Sequence, residues 1–310
     1  MFEKIDFKSE FFNLYKLSEG IYGAISKPDS GMGSNAGFID LGDFSVIIDT
    51  TLSNNAIKDL NKAVIQYTGK EPKVVVITHY HLDHVIGNSL FDTSTLIITS
   101  DRTLNNIQTE NSVRIEQLKA MEQKELDKMK EALKTEKDEE KRKDIENDLR
   151  FINNIQKGEV ILRDPNATFK EEFTLHGNER TLYLRTFKKA HTDGDVIAYI
   201  PEEKILFAGD LLFAQVDPWL GSGNPNGWIS VIDEIIKMDF KVVVPGHGEI
   251  ASKEEFYLEK KYINEIIELV KKHIISGDKI KREDFSSEFQ TWTSLILEWN
   301  IEFLTKYLKN

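Results

Sequence analysis

The stretch His79-Tyr80-His81-Leu82-Asp83-His84 decides how this sequence folds and which chemistry it can support. It comes directly after VVVIT at 74–78, a continuous β-branched run that predicts a buried strand. Side chains alternate along an extended segment, so His79, His81 and Asp83 are expected on one side, and His84 follows where the chain turns into a helix. Without a cation, this cluster would be repulsive when protonated and costly to bury. The stretch therefore predicts a metal site.

Three more residues of ligand type fall where predicted strands end. His191 opens HTDGD after the alternating run 181–187, Asp210 ends ILFAGD, and His247 follows VVVP in PGHGE. Because ligand sites are common at strand ends in layered α/β folds, these residues are candidates for the same site. The remaining histidines, His176 and His273, lie outside such contexts and are expected on the surface.

The composition narrows the classes of protein. The chain has 310 residues, no cysteine and a formal net charge of −12. The lack of cysteine excludes disulfides, thiolate-ligated metals and thiol nucleophiles. The acidic balance disfavours nucleic acid and anionic membranes as partners, because both need a positive face. No secretory signal or transmembrane stretch is recognisable, so a cytoplasmic protein is expected.

The predicted elements form one domain over 1–310 with two helical additions. Extended runs at 20–25, 36–41 and 44–50 precede a helix over 55–67, and the pattern resumes after 181 with a PEEK hairpin and a helix over 228–238. Between 110 and 150 over half of the residues are charged, and an apolar stripe runs through them. This predicts a solvated helical hairpin as an insert over 101–158. A C-terminal helical extension is predicted over 252–310.

With these landmarks in this order, the sequence resembles the metallo-β-lactamase-fold hydrolase superfamily. The resemblance covers about residues 20–250 apart from the insert, and it implies an α/β (α+β) fold, a four-layer αββα sandwich. It also implies a binuclear centre. The first metal would be bound by His79, His81 and His191, the second by Asp83, His84 and His247, with Asp210 bridging both. Imidazole and carboxylate ligands suit zinc, and also iron or manganese.

The implied activity is metal-dependent hydrolysis of a small ester, thioester, lactone or phosphoester. Two divalent ions would lower the pKa of a bridging water, so that hydroxide attacks the substrate at neutral pH while one metal polarises the substrate oxygen. Asp83 would orient the nucleophile and shuttle its proton, which makes it the candidate catalytic residue.

Departures from the family's patterns restrict the reaction. Asp210 stands where many true β-lactamases carry cysteine, so β-lactam hydrolysis is not expected. The third motif, His191-Thr192-Asp193-Gly194-Asp195, differs from the HTPGH of glyoxalase-II-type thioesterases. Three alternatives stay open: a mononuclear iron oxygenase of the persulfide-dioxygenase kind, an RNase Z-like phosphodiesterase, and a non-enzymatic interaction protein using the insert.

Two further expectations concern the loops and the insert. The loop after Asp210 is the segment most suited to face a substrate, with Trp219, Asn224 and Trp228 as candidate binding residues; packing of both tryptophans onto the body is the alternative. The insert is a solvated hairpin, a cap over the metal cleft, or an arm through which a homodimer forms.

Overall fold

The computed structural model describes residues 2–292 and 296–309. Backbone contacts divide the chain into two units, Met1–Phe169 and Lys170–Asn310. Each unit has its own sheet and its own hydrophobic core. The motif 79–84 belongs to the N-terminal unit, and His191, Asp210 and His247 belong to the C-terminal unit.

The described residues of the N-terminal unit form an eight-stranded sheet in sequential order. Its strands are β1 (Glu3–Ile5), β2 (Phe12–Ser18), β3 (Ile21–Ser26), β4 (Ala36–Asp40), β5 (Ser45–Ile48), β6 (Pro72–Val76), β7 (Leu96–Ser100) and β8 (Ala167–Phe169). Pairing is antiparallel from β1 to β5 and parallel from β5 to β8. Because parallel strands end at the same edge, Asp49 after β5 lies beside the residues that follow β6.

Helix α1 (Asn54–Thr68) confirms the helix predicted over 55–67. The Ser53 side chain caps its first turn by accepting the Ala56 N–H, and Gly69 ends it in the left-handed conformation, with φ of 70°. One face of α1 is buried in the core of the unit. Its residues recur at helical spacing and are Ala56, Ile57, Leu60, Ala63 and Val64.

The insert is helical, as predicted, but it is not a simple hairpin. It consists of α3 (Asp101–Asn106), a π-helical turn (Ile107–Asn111), α4 (Ser112–Lys119), α5 (Gln123–Thr135) and α6 (Glu139–Gln156). The chain breaks at 120–122, between α4 and α5, so the first side of the predicted hairpin is made of several shorter helices. Gln156 from α6 donates hydrogen bonds to the carbonyls of Leu118 and Met121, so backbone acceptors exposed by the break are satisfied from the opposite helix.

The apolar stripe of the insert packs within its own unit. We call this group the insert cluster, and its buried members are Ile86, Ile115, Leu118, Leu126, Ile152, Ile155 and Val160. Leu82 and Leu52 pack against it. Leu82 lies within the motif 79–84 and Ile86 lies two residues after it, so the insert packs against the end of that motif. The buried side chains of the insert's apolar stripe are therefore used within the same unit. The homodimer through the insert stays a prediction.

The described residues of the C-terminal unit form a five-stranded sheet with the order β13-β12-β11-β10-β9. Its strands are β9 (Glu172–His176), β10 (Thr181–Phe187), β11 (Asp195–Ile200), β12 (Ile205–Ala214) and β13 (Val242–Gly248). All pairs are antiparallel except the parallel pair β12 and β13. The parallel pair brings Asp210 on β12 and His247 on β13 to one edge region, because Phe213 lies opposite His247.

Helices cover the apolar face of this sheet. They are α7 (Pro225–Ile235), α8 (Glu254–Ser276) and α9 (Leu297–Tyr307), and the last two confirm helices in the extension predicted over 252–310. Helix α7 begins three residues before the predicted helix at 228 because Asn224 caps it and Pro225 occupies its first position. Within the described ranges, no helix has the length and apolar character needed to cross a membrane.

Candidate metal centre

The motif 79–84 lies where β6 gives way to a short helix. Strand β6 ends at Val76, and helix α2 spans Leu82–Val85. Asp83 therefore sits in the first turn of α2, and the prediction that it continues an extended segment is wrong. The hydroxyl of Ser34 donates to the Asp83 carbonyl at 2.6 Å, and the Thr50 hydroxyl donates to the His84 carbonyl at 3.0 Å. These bonds hold the backbone of α2 against the sheet edge.

Asp49 anchors the motif, although the sequence reasoning did not select it. It is buried after β5, with φ of 60°, and its carboxylate accepts hydrogen bonds from the Thr78 N–H and hydroxyl, both at 2.8 Å. The Nδ1 atom of His84 lies 2.8 Å from the same carboxylate. An ionised carboxylate can only accept, so His84 carries a proton on Nδ1, and in the neutral imidazole the lone pair is then on Nε2.

The same carboxylate fixes His79 through Thr78. The Thr78 hydroxyl gives its proton to Asp49, so it accepts from the His79 Nδ1, which lies 3.1 Å away. The lone pair of His79 is therefore on Nε2. That atom lies 3.0 Å from Nδ1 of His81. One buried acid thus orients two histidines of the motif as candidate ligands, and such support is usual around protein-bound metals.

The insert also contacts the motif directly. Asn111, at the end of the π-helical turn, is 3 % exposed and donates its side-chain amide to the Tyr80 carbonyl at 2.5 Å. Tyr80 is the residue between His79 and His81. The π-helical turn shifts the register of the helix so that Asn111 faces inward, and such turns are frequent at functional sites.

We expect Asn111→Leu to lower the free energy of unfolding by about 1–3 kcal/mol, because it removes a hydrogen bond at a buried position. Urea unfolding of the metal-free protein measures the change. Asn105→Leu, at an exposed position of α3, is the matched control and should stay within about 0.5 kcal/mol of the unchanged protein. Equal stability of the Asn111 and Asn105 variants would contradict the assigned contact.

In the C-terminal unit, Asp210 lies between two histidines. One of its oxygens is 3.3 Å from Nε2 of His191 and 3.4 Å from Nε2 of His247. The Nδ1 of His191 lies 3.1 Å from the Trp219 carbonyl, so it carries a proton, and in the neutral ring the lone pair is on Nε2. The His247 ring stacks on Phe213, with ring centres 4.8 Å apart.

The candidate ligand atoms in each unit have separations that suit a bound metal. Two atoms bound 2.0–2.1 Å from one tetrahedral ion lie about 3.3 Å apart. The distances are 3.0 Å for His79 and His81, 3.5 Å for Asp83 and His84, and 3.3 and 3.4 Å around Asp210. With His191 neutral, its Nε2 lone pair faces the Asp210 carboxylate, and a cation bound between them would stabilise both. The donor set therefore fits a divalent metal.

Gly246 makes room for the Asp210 carboxylate. A Cβ at this position would lie 1.8 Å from an Asp210 oxygen. We expect Gly246→Ala to displace that carboxylate and to weaken zinc binding by about 10-fold or more, since overpacking costs about 1–3 kcal/mol. Competition with a chromophoric chelator measures the affinity.

Gly277→Ala is the control for Gly246→Ala. It adds the same methyl at φ of 78°, where nothing lies within 4 Å. It should cost about 1 kcal/mol of stability through backbone strain and leave zinc affinity unchanged. Unaltered zinc affinity in the Gly246 variant would show that the space beside Asp210 is not needed.

Buried acids also hold the backbone around the candidate ligands His191 and Asp210. Asp195 accepts the N–H and hydroxyl of Thr192 and closes the turn after His191; burial raises the pKa of Asp195 to about 7. Glu259 on α8 accepts the Phe213 N–H at 2.8 Å, and burial raises the pKa of Glu259 well above its ordinary value. Both acids therefore accept hydrogen bonds from backbone N–H groups close in sequence to His191 and Asp210.

The structure gives packing or capping roles to the candidate substrate residues. Trp228 is fully buried, packs edge-on against His191 with ring centres 5.2 Å apart, and donates to the Leu211 carbonyl. It is part of the core, as the packing alternative expects, and its role as a substrate-binding residue stays a prediction. The Asn224 side chain caps α7 by accepting the Gly227 N–H at 2.8 Å. Trp219 is partly buried, and its substrate role stays a prediction.

Comparisons with known proteins agree with the fold described above. The family model described as metallo-beta-lactamase superfamily matches residues 29–97 and 109–247. Among solved structures, TMB-1 has a TM-score of 0.58 at 19% identity, covering 82% of this chain and 97% of that one. DIM-1 metallo-beta-lactamase has a TM-score of 0.59 at 19% identity, with coverages of 82% and 97%. A metallo-beta-lactamase from Pontibacter korlensis has 0.56 at 18%, with coverages of 85% and 99%. No curated protein matches the sequence.

Proposed function

The chain belongs to the metallo-β-lactamase superfamily, and from that premise we propose that it is a binuclear zinc-dependent hydrolase. The fold predicted from the sequence is confirmed by the family match and by the solved structures. The proposal includes the binuclear centre that the family resemblance implies. Its ligands would be His79, His81, Asp83, His84, His191, Asp210 and His247.

The observation that carries the proposal is the orientation of the imidazoles. His79, His84 and His191 each have a fixed acceptor for Nδ1, so each presents the lone pair of Nε2. A histidine that served only packing would not need its tautomer set. Three buried hydrogen-bond acceptors are used to orient these three rings. This arrangement suits the binding of a metal cation.

The metals and the Asp83 side chain would have different roles in the reaction. When bound, the metals supply a water of lowered pKa and polarise the substrate oxygen. Asp83 would take up the proton released by that water and return it to the leaving group. Its side chain is 25% exposed and lies 3.5 Å from Nε2 of His84, so it can exchange protons with a substrate while the deeper ligands stay buried.

The proposed substrate is a small ester, thioester, lactone or phosphoester. The test is a panel of chromogenic substrates from these classes, assayed before and after removal of metal by a chelator and after return of zinc, manganese or iron. We expect hydrolysis of at least one class, loss after chelation, and best recovery with zinc. Lack of hydrolysis across the panel in protein loaded with two metals would contradict the proposal.

A further inference from the structure

The C-terminal extension holds the loop that follows β12. This loop, residues 215–224, connects β12 with α7, and we call it the β12–α7 loop. Arg282 forms a two-pronged ion pair with Asp217, whose side chain is fully buried. Tyr307 donates its hydroxyl to the Asn224 side chain at 3.2 Å. Between these points, Asn300 on α9 contacts the centre of the loop.

Asn300 forms hydrogen bonds with the backbone on both sides of Trp219. It is fully buried; its amide donates to the Pro218 carbonyl at 2.8 Å, and its side-chain oxygen accepts the Leu220 N–H at 3.0 Å. Both hydrogen-bonding functions of the side chain are therefore used on peptide groups adjoining one residue. A two-point contact of this kind restrains the orientation of the peptide groups between the two points, and that includes the Trp219 carbonyl.

The restrained carbonyl is the one that faces His191. Nδ1 of His191 lies 3.1 Å from the Trp219 oxygen, and this bond sets which ring nitrogen keeps the lone pair. The opposite nitrogen, Nε2, faces Asp210 at 3.3 Å. A continuous set of contacts thus runs from α9 through the Trp219 peptide to the ligand atom of His191, all within the C-terminal unit.

We propose that Asn300 is a positioning residue for His191, so that the C-terminal extension tunes metal binding. The inference rests on the proposed function in one respect, that His191 is a metal ligand. The direct partner of a metal-bound histidine is typically worth 10- to 100-fold in metal affinity. Asn300 acts one contact further away, so the lower end of that range, about 10-fold, is expected.

The experiment compares variants of the full chain for zinc affinity, by competition with a chromophoric chelator, and for the visible absorption spectrum of the cobalt-substituted protein. Asn300→Leu removes both hydrogen bonds at similar volume. Asn300→Asp keeps the acceptor for the Leu220 N–H and loses the donor to Pro218, and it provides a second variant if the leucine variant does not fold. Tyr307→Phe is the matched control, because it removes an extension-to-loop bond that does not adjoin Trp219.

We expect zinc affinity to fall about 10-fold in Asn300→Leu and less in Asn300→Asp, with a shifted cobalt spectrum in both. Tyr307→Phe should keep the affinity and spectrum of the unchanged protein. A purely structural role of Asn300 would lower only the urea midpoint of the metal-free protein. Unchanged affinity and spectrum in the Asn300 variants would therefore overturn the inference.

His191→Ala separates the inference from the proposed function. If His191→Ala loses metal while the Asn300 variants bind as the unchanged protein does, the inference fails and the proposed function stands. If His191→Ala binds zinc as the unchanged protein does, His191 is not a ligand, and the inference and the proposed centre fall together.

Discussion

Replacing Asp210 by alanine is expected to reduce bound zinc from two ions to one or fewer per chain and to lower hydrolysis more than 100-fold. Asp210 is 4 % exposed, and one of its oxygens lies 3.3 Å from His191 and 3.4 Å from His247. Its loss removes the carboxylate that the Nε2 atoms of both imidazoles face. Because loss of a partner outside the ligand shell costs up to about 100-fold, loss of a proposed bridging ligand should cost more. Elemental analysis of the purified variant and the substrate panel measure both effects.

Asp193→Asn is the matched control for the Asp210 variant. It removes a carboxylate two residues from His191, but at an exposed position. Two zinc ions and nearly unchanged hydrolysis are expected for it, since the field of an exposed charge is screened by solvent. If Asp210→Ala kept two metals and its activity, the proposed bridging role would be lost.

Replacing Asp49 by asparagine is expected to weaken zinc binding by about 10- to 100-fold and to lower the free energy of unfolding by about 1–3 kcal/mol. The asparagine keeps one accepting oxygen but presents an NH₂ group in place of the other. That group cannot accept from Nδ1 of His84 or from the Thr78 hydroxyl, which the buried carboxylate does at 2.8 Å in each case. His84 and, through Thr78, His79 then lose the contacts that set their tautomers.

Chelator competition and urea unfolding measure the two effects of Asp49→Asn. Asp40→Asn is the control, because Asp40 also ends a strand but pairs with Lys70 near the surface at 2.7 Å. It should cost at most about 1 kcal/mol and leave zinc affinity unchanged. Equal zinc affinity in the Asp49 and Asp40 variants would mean that the carboxylate after β5 does not orient the motif.

The residues with ligand chemistry could be predicted because the signal is local. His79, His191 and His247 each follow or end an apolar run that forms a strand, and a strand end fixes where a side chain lies. Asp49 also lies at a strand end, directly after β5, so the same rule could have selected it. Its role depends on contact with His84, 35 residues away, and that distance is closed only by the parallel pairing of β5 with β6.

Other features of the structure that the sequence did not predict also have specific physical causes. Trp228 lies on the face of α7 that also carries Val231, Ile232 and Ile235, and this helical spacing could have predicted its burial. The break in the insert at 120–122 has no proline or glycine, and it is stabilised by Gln156, which only the folded insert brings near. The support that the extension gives to the β12–α7 loop joins residues about 80 positions apart, such as Leu220 and Asn300. A local sequence pattern cannot predict a contact between residues so far apart in the chain.

The most direct test of the central claim is elemental analysis of the purified protein combined with assays of hydrolysis and of oxygen uptake on the same sample. The account predicts two divalent metal ions per chain, hydrolysis of a small ester, thioester, lactone or phosphoester that disappears with a chelator and returns with zinc, and no oxygen consumption. One iron ion per chain with substrate-dependent oxygen uptake would contradict it.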